Sequence, residues 1–317
     1  MKILLTGGAG FIGSNILEKL VKDDDIHKVI VVDNLTNSSL ENINHLLNNP
    51  KVYFRQGDIC DYDFICDIIE RVDVICHQAA IGSVPKSLEN PSEYMKNNVF
   101  GFTNIVEGAK KYGIEKIIYA SSSSVYGDDR SKTKMENNIG TQLSPYALSK
   151  RFNEMLAQNF HEMYGINFYG LRYFNVFGKN QRANSQYAAV IPKFITAIKN
   201  NNPPEIYGNG EQSRDFTHIE NVVDVNIKLI KGDLKGNYIF NVGTGNKVSV
   251  NELFLKIKQK MESNVNAMYK PKRRGDILNS LADISLIKTE INHKTKVLLD
   301  EGLDKTITWF LTQQLCS

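Results

Sequence analysis

The run "KILLTGGAGFIGS", Lys2 to Ser14, decides the fold. Its first residues form a short apolar run, as in a strand buried on both faces. Gly7, Gly10 and Gly13 follow in the pattern G-x-x-G-x-x-G, and helical periodicity begins at Ile12 and runs to Lys22. Glycines between a strand and a helix permit a tight turn. They also bring backbone N–H groups up to a pyrophosphate and let helix and strand pack closely. The helix N-terminus adds partial positive charge for the same anion. The next apolar run, "KVIVVDN", ends in Asp33, twenty residues after Gly13. A carboxylate there accepts hydrogen bonds from a ribose 2′-OH and repels a 2′-phosphate. Asn34 and Leu35 follow, with no arginine, so the expected cofactor is NAD rather than NADP.

Further along, "VYFRQGD", "VDVICHQAA", "KIIYASSSS" and "FYGLRYFNVFG" continue the strand series. Helical segments at Phe64 to Arg71, Val99 to Tyr112 and Tyr146 to Tyr164 lie between them. Near-continuous apolar strands alternating with helices predict an α/β fold, a Rossmann-type doubly wound parallel sheet. Asp58 and Ile59 end the third strand and Ala79 and Ala80 the fourth, all expected against the cofactor. After residue 176 the loops lengthen, and a smaller C-terminal α/β substrate-binding domain is expected. The predicted division is residues 1–176 for NAD, with returning segments around 216–245, and 177–317 mainly for substrate. "YIFNVG", Tyr238 to Gly243, is a candidate edge strand of the main sheet.

The 317 residues are 42% hydrophobic and 23% charged, with a net charge of +3, enough to bury a core and close to balanced. The densest basic cluster, "KPKRRGD", is too short to follow a nucleic-acid backbone, so no nucleic-acid partner is expected. No signal peptide or apolar span of membrane length is present, which points away from a membrane partner and toward the cytoplasm. Cys60, Cys66, Cys76 and Cys316 form no CxxC pair and have no histidine cluster beside them; they read as reduced, and no metal is expected.

"SPYALSK", Ser144 to Lys150, places a tyrosine and a lysine on one helical face. Ser144 is a good N-cap and Pro145 suits the first helical position. The apolar stripe of this helix is Phe152, Met155, Leu156 and Met163, interrupted by Asn159. Tyr146 and Lys150 lie off that stripe, so they face either solvent or a site. A second Y-x-x-x-K, Tyr112 to Lys116, straddles a turn and has no role. What singles out the first copy is "ASSSSVYG", which ends the fifth strand. Ligands bind beyond the carboxyl ends of such strands, so Ser122, Ser123 and Ser124 are expected near the nicotinamide. A nearby ammonium and a positive nicotinamide ring favour phenolate. Tyr146 then serves as a base toward an alcohol while hydride leaves for NAD, with one of these serine hydroxyls sharing the proton.

"TGGAGFIGS", "VVDNL", "GDI", "HQAA", "SSSSVYG", "YALSK" and "LRYFNVFG", in that order, resemble the extended short-chain dehydrogenase/reductase family of nucleotide-sugar enzymes. The likeness covers nearly the whole chain. Within the family the sequence is similar to NAD-dependent UDP-hexose 4-epimerases, and most to the UDP-N-acetylglucosamine 4-epimerases. The resemblance implies Tyr146, Lys150 and Ser122 as the catalytic set, and adds Phe11, Ile12, Asn34 and Asn98, together with Tyr146 and Lys150, to the cofactor contacts. For a UDP-sugar it implies Ser83, Asn175, Ala189, Val190, Tyr207, Arg214, Arg273, Asp276 and Ser280, with the two arginines on the diphosphate. It also implies a homodimer.

Related dehydratases carry an Asp-Glu pair after the strand-five hydroxyl residue, and decarboxylases a Glu before the "YG" tyrosine. Ser123 and Ser124 stand there instead, which favours epimerisation. Ser280 stands where the resemblance places a sugar-pocket wall. A small residue leaves room for an N-acetyl group, while an open pocket cannot firmly reject smaller sugars. UDP-glucose and UDP-uronic acid epimerases remain alternative readings, as does a non-catalytic NAD-binding module.

Overall fold

The computed structural model describes residues 1–182, 189–272 and 279–312. The first part of the chain alternates β1 (Lys2–Thr6), α1 (Phe11–Leu20), β2 (Lys28–Asp33), β3 (Val52–Gln56), α2 (Tyr62–Ile69) and β4 (Val74–His77). Then come α3 (Val84–Glu89), α4 (Pro91–Tyr94), α5 (Gly101–Tyr112), β5 (Lys116–Ser122), α6 (Pro145–Tyr164) and β6 (Asn167–Tyr173). The remainder comprises β7 (Val176–Phe177), α7 (Val190–Lys199), β8 (Glu205–Tyr207), β9 (Ser213–Arg214), β10 (Thr217–His218), α8 (Ile219–Lys231) and β11 (Asn237–Val242). After it follow β12 (Val248–Ser249), α9 (Val250–Lys260), β13 (Met268–Lys270), β14 (Asn279–Ser280), α10 (Ser285–Ile291) and α11 (Leu299–Thr312).

Seven strands form one sheet in the order β11-β6-β5-β4-β1-β2-β3, every pairing parallel. Strand order reverses between β1 and β4, which opens a crevice at the carboxyl edge. Ile3, Leu4 and Leu5 of β1 are fully buried, and all seven residues of β6 are buried, as strands covered on both faces must be. Ile3, Leu5, Ile16 and Val222 belong to one core, beneath α1 and α8. Leu4, Ile68, Phe102 and Ala157 belong to the other, beneath α2, α5 and α6. The expected return of "YIFNVG" is β11, paired with β6 from Asn237↔Phe168 to Val242↔Tyr173. A third core of Phe177, Ile191, Phe194, Phe254 and Leu303 holds α7, α9 and α11 together. Beside it run a small β12-β9-β14 sheet and a β13-β8 pair.

Helix α6 begins as its sequence predicts. Ser144 Oγ accepts the Ala147 N–H at 3.1 Å, Pro145 follows the cap, and Gly165 closes the helix at φ 71°. The face it buries differs from its apolar stripe. Phe152, Met155 and Met163 are 41%, 57% and 65% exposed, while Ala147, Lys150, Asn153, Glu154 and Ala157 are buried. The reason is a buried ion pair: Arg172 of β6 meets Glu154 through two bonds of 2.9 Å, and Ser121 Oγ donates to Glu154 at 2.7 Å. That pairing turns the polar side inward, with Lys150 one turn away; of the apolar stripe Leu156 still packs on the core, while Phe152, Met155 and Met163 are left exposed.

Candidate active site

A cavity of about 840 Å³ lies at the carboxyl edge of the sheet. Gly7, Gly10, Phe11, Ile12 and Gly13 form its floor at the start of α1. Gly7 has φ 67°, and a Cβ there would lie 2.6 Å from Ala79 N; one on Gly13 would lie 2.2 Å from Gly7 O. No side chain fits at either place, and the bare backbone is left facing the cavity as a pyrophosphate cradle requires. Asp33 also lines it, buried, with its carboxylate held by Ala9 N at 3.0 Å, Leu35 N at 2.9 Å and Ser38 Oγ at 2.6 Å. Asn34, Ile59, Ala79 and Ala80 line the same region. These donors and acceptors fit a dinucleotide.

Three predicted cofactor residues, Asp58, Asn98 and Lys150, stand behind the lining. Asp58 is absent from the lining and instead accepts from Cys60 N at 2.9 Å and Asn34 Nδ2 at 3.4 Å. Asn98, 1% exposed, accepts from Ile81 N at 2.8 Å and donates to Ile81 O and Ser149 Oγ. It fixes the loop after β4.

At the other end Tyr146, Ser122, Ser123 and Ser124 face the cavity together. Burial pushes the Tyr146 phenol above its ordinary value of 10, and a hydrogen bond with Ser122 pulls it part of the way back. Lys150 is 2% exposed, and its ammonium donates to Ala120 O at 2.8 Å. Burial pushes that ammonium down to about 8, against the opposing pull of Glu154. In the protein alone the balance of burial and the Ser122 bond therefore leaves the phenol raised. His77, which bonds Thr6 Oγ1 at 2.8 Å, is pushed down to about 3 by burial and by Lys150, so it stays neutral.

Ser83, Asn175, Ala189, Arg214 and Ser280 line the cavity opposite the glycines. Asn175, Ala189 and Arg214 continue into an adjoining cavity of about 260 Å³, where Val190 and Tyr207 are found. Arg273 and Asp276 lie outside the described residues. Sequence reasoning overlooked Gln78 and Tyr173, which also line the main cavity and meet at 3.0 Å (Tyr173 Oη to Gln78 Oε1). A glutamine closing the apolar run "VICHQ" was the available signal. Among the described residues lining this cavity, Asp33 is the only carboxylate.

Comparison with known proteins agrees with this geometry. A model of the NAD dependent epimerase/dehydratase family matches residues 3–243. The chain belongs to that family. NAD is accordingly its cofactor, and Tyr146 and the glycine turn both fall inside the matched span. A putative UDP-glucose 4-epimerase of Methanocaldococcus jannaschii is 39% identical over 309 residues, 97% of each chain. Among solved structures, a UDP-N-acetylglucosamine 4-epimerase from Methanobrevibacter ruminantium, in complex with UDP-N-acetylmuramic acid, is 40% identical. It superposes with a TM-score of 0.93 over 98% of both chains. A UDP-glucose 4-epimerase from Thermotoga maritima, with UDP-glucose, is 33% identical, with a TM-score of 0.93 over 99% of this chain and 100% of that one. No helix among the described residues is long and apolar enough to cross a membrane.

Proposed function

We propose that this epimerase/dehydratase family member interconverts UDP-N-acetylglucosamine and UDP-N-acetylgalactosamine through a 4-keto sugar. One observation carries the reaction type: Tyr146 and three serines share the reacting end, and Asp33, the only described lining carboxylate, sits three strands away at the end of β2. Removing a C5 proton and expelling a C6 hydroxyl calls for an acid–base pair that serine does not supply near neutral pH. Simple oxidation and re-reduction at C4 needs only one group to take and return a proton. Tyr146 takes it from the C4 hydroxyl, and Ser122 holds the C4 oxygen. The glycine turn and Asp33 would hold NAD, which would supply a hydride acceptor and donor at C4 and a positive charge that favours phenolate. Lys150, fixed on Ala120 O, adds to that charge.

The substrate end supports a UDP-sugar. Arg214 supplies a guanidinium fork for the diphosphate. The smaller cavity, with Val190, Tyr207 and Phe216, suits the nucleoside, and Asn175 lies at the junction. Residues 1–176, with 216–245, then serve NAD and residues 177–317 mainly the UDP-sugar. Ser280 keeps the sugar wall small, which favours the N-acetylated hexose and leaves UDP-glucose as a second substrate. A larger side chain tests this: Ser280→Tyr lowers kcat/KM for UDP-N-acetylglucosamine about 10–200-fold more than for UDP-glucose. Equal effects on the two sugars would remove the assignment. Phe152, Met155 and Met163 on α6, with Phe100 and Leu148 both 51% exposed beside them, suit a second copy of this chain, and we read the protein as a homodimer.

A further inference from the structure

Asp215 lines neither cavity, yet three residues of the substrate end, Asn175, Arg214 and Ser280, are tied to it. It is fully buried, and both carboxylate oxygens are occupied. Oδ1 accepts from Thr244 N at 2.9 Å and Thr244 Oγ1 at 2.7 Å. Oδ2 accepts from Gly245 N at 2.9 Å and Ala282 N at 3.4 Å. Its own amide donates to Ser280 O at 2.8 Å, and its carbonyl accepts Asn175 Nδ2 at 3.1 Å. Arg214 precedes it and is in register with Ser280 across β9 and β14. Gly243 makes the close approach feasible, since a Cβ there would lie 2.8 Å from Oδ2 and 2.6 Å from Ala282 Cβ. One residue thus joins the loop after β11 to the small sheet that carries Arg214 and Ser280.

We propose that Asp215 is a positioning residue for the UDP-sugar, holding Arg214, Ser280 and Asn175 in one arrangement before substrate arrives. This rests on the assignment of that end of the cavity to a UDP-sugar. A neutral residue here would be simpler to bury, and burial does push the Asp215 carboxyl up. The four converging donors explain why a carboxylate is used. An amide offers one oxygen, so Asp215→Asn must turn its NH2 toward either the Thr244 or the Gly245 and Ala282 donors whichever way it flips. The substitution keeps shape and volume while setting donor against donor on one side.

The test measures UDP affinity by calorimetry, bound NAD per chain after desalting, and KM and kcat with UDP-N-acetylglucosamine. Asp215→Asn is expected to weaken UDP binding and raise KM about tenfold or more, with NAD content and kcat within about twofold of the wild type. Thr244→Val removes the hydroxyl bond to Oδ1 and the one that hydroxyl accepts from Asn246 N, keeps both backbone donors to the carboxylate, and is expected to give a smaller change in the same direction. It keeps the question answerable if the asparagine variant does not fold. A purely structural role would lower the melting temperature of both variants and leave UDP affinity and KM unchanged in the folded protein; that result overturns the proposal. Wild-type protein that retains NAD but binds no uridine nucleotide would overturn the UDP-sugar reading as well.

Discussion

Replacing Tyr146 by phenylalanine separates chemistry from architecture. The ring packs edge-on against Tyr94 with centroids 6.1 Å apart, and a phenylalanine ring keeps that contact. The hydroxyl is what is lost, and its partner in the protein is Ser122. Ser122 retains Ser124, whose N–H and Oγ approach its oxygen at 3.1 and 2.9 Å, so no buried group is stranded. Removing one such bond costs about 0.5–1.5 kcal/mol of stability. The catalytic effect is larger because no other group lining the reacting end can take the C4 proton. A general base contributes about 10²–10⁴-fold, or roughly 3–5 kcal/mol of barrier. Tyr146→Phe should therefore lose two to four orders of magnitude in kcat, retain NAD, and melt within about 3 °C of the wild type. The assay follows the C4 epimer ratio by proton NMR, with bound NAD measured on the same sample. Wild-type turnover in a folded variant would refute the proton-transfer assignment.

Other perturbations follow from the same geometry. Lys150 holds its proton up to about pH 8 in the folded chain, against 10.5 as its ordinary value, so the unfolded chain binds more protons between those limits. Stability from this group rises with pH across that window. Lys150→Met should remove the rise, gain about 1–3 kcal/mol near pH 7 and lose activity; urea melts at pH 7 and pH 10 test this. Unchanged pH dependence would contradict it. Glu154→Ala strands the buried Arg172 guanidinium and should cost about 3–5 kcal/mol in urea unfolding, where a loss below about 1 kcal/mol would mean the pair is not a clamp. On the proposed homodimer, the wild type should sediment as a dimer and a double Phe152→Asp, Met155→Lys variant as a monomer; an unchanged sedimentation coefficient would remove the interface.

The sheet and the cofactor floor were legible because their signals are local. Gly7, Gly10 and Gly13 lie within one turn of chain, and Asp33 follows at the end of the next strand. Tyr146, Lys150 and the serines of β5 needed one further inference, that strand ends converge. Helix α6 misled because an apolar stripe ordinarily marks the core side, whereas Glu154 and Arg172 form their pair across 18 residues and orient the helix by tertiary contact. Asn98 and Asp58 support backbone rather than line the cavity, a distinction that residue type alone does not carry. Asp215 carries no local signal; it simply follows Arg214 in the chain. The partners of its carboxylate lie 29 to 67 residues downstream, and no short spacing announces them.

The central claim is that hydride leaves C4 and returns to C4 without exchange with solvent. It is tested most directly with UDP-N-acetylglucosamine carrying deuterium at C4, incubated in ordinary water and followed by NMR and mass spectrometry. The account predicts UDP-N-acetylgalactosamine that keeps its C4 deuterium, with no net accumulation of NADH. Loss of the label to solvent, or a product lacking the C6 hydroxyl, would contradict it.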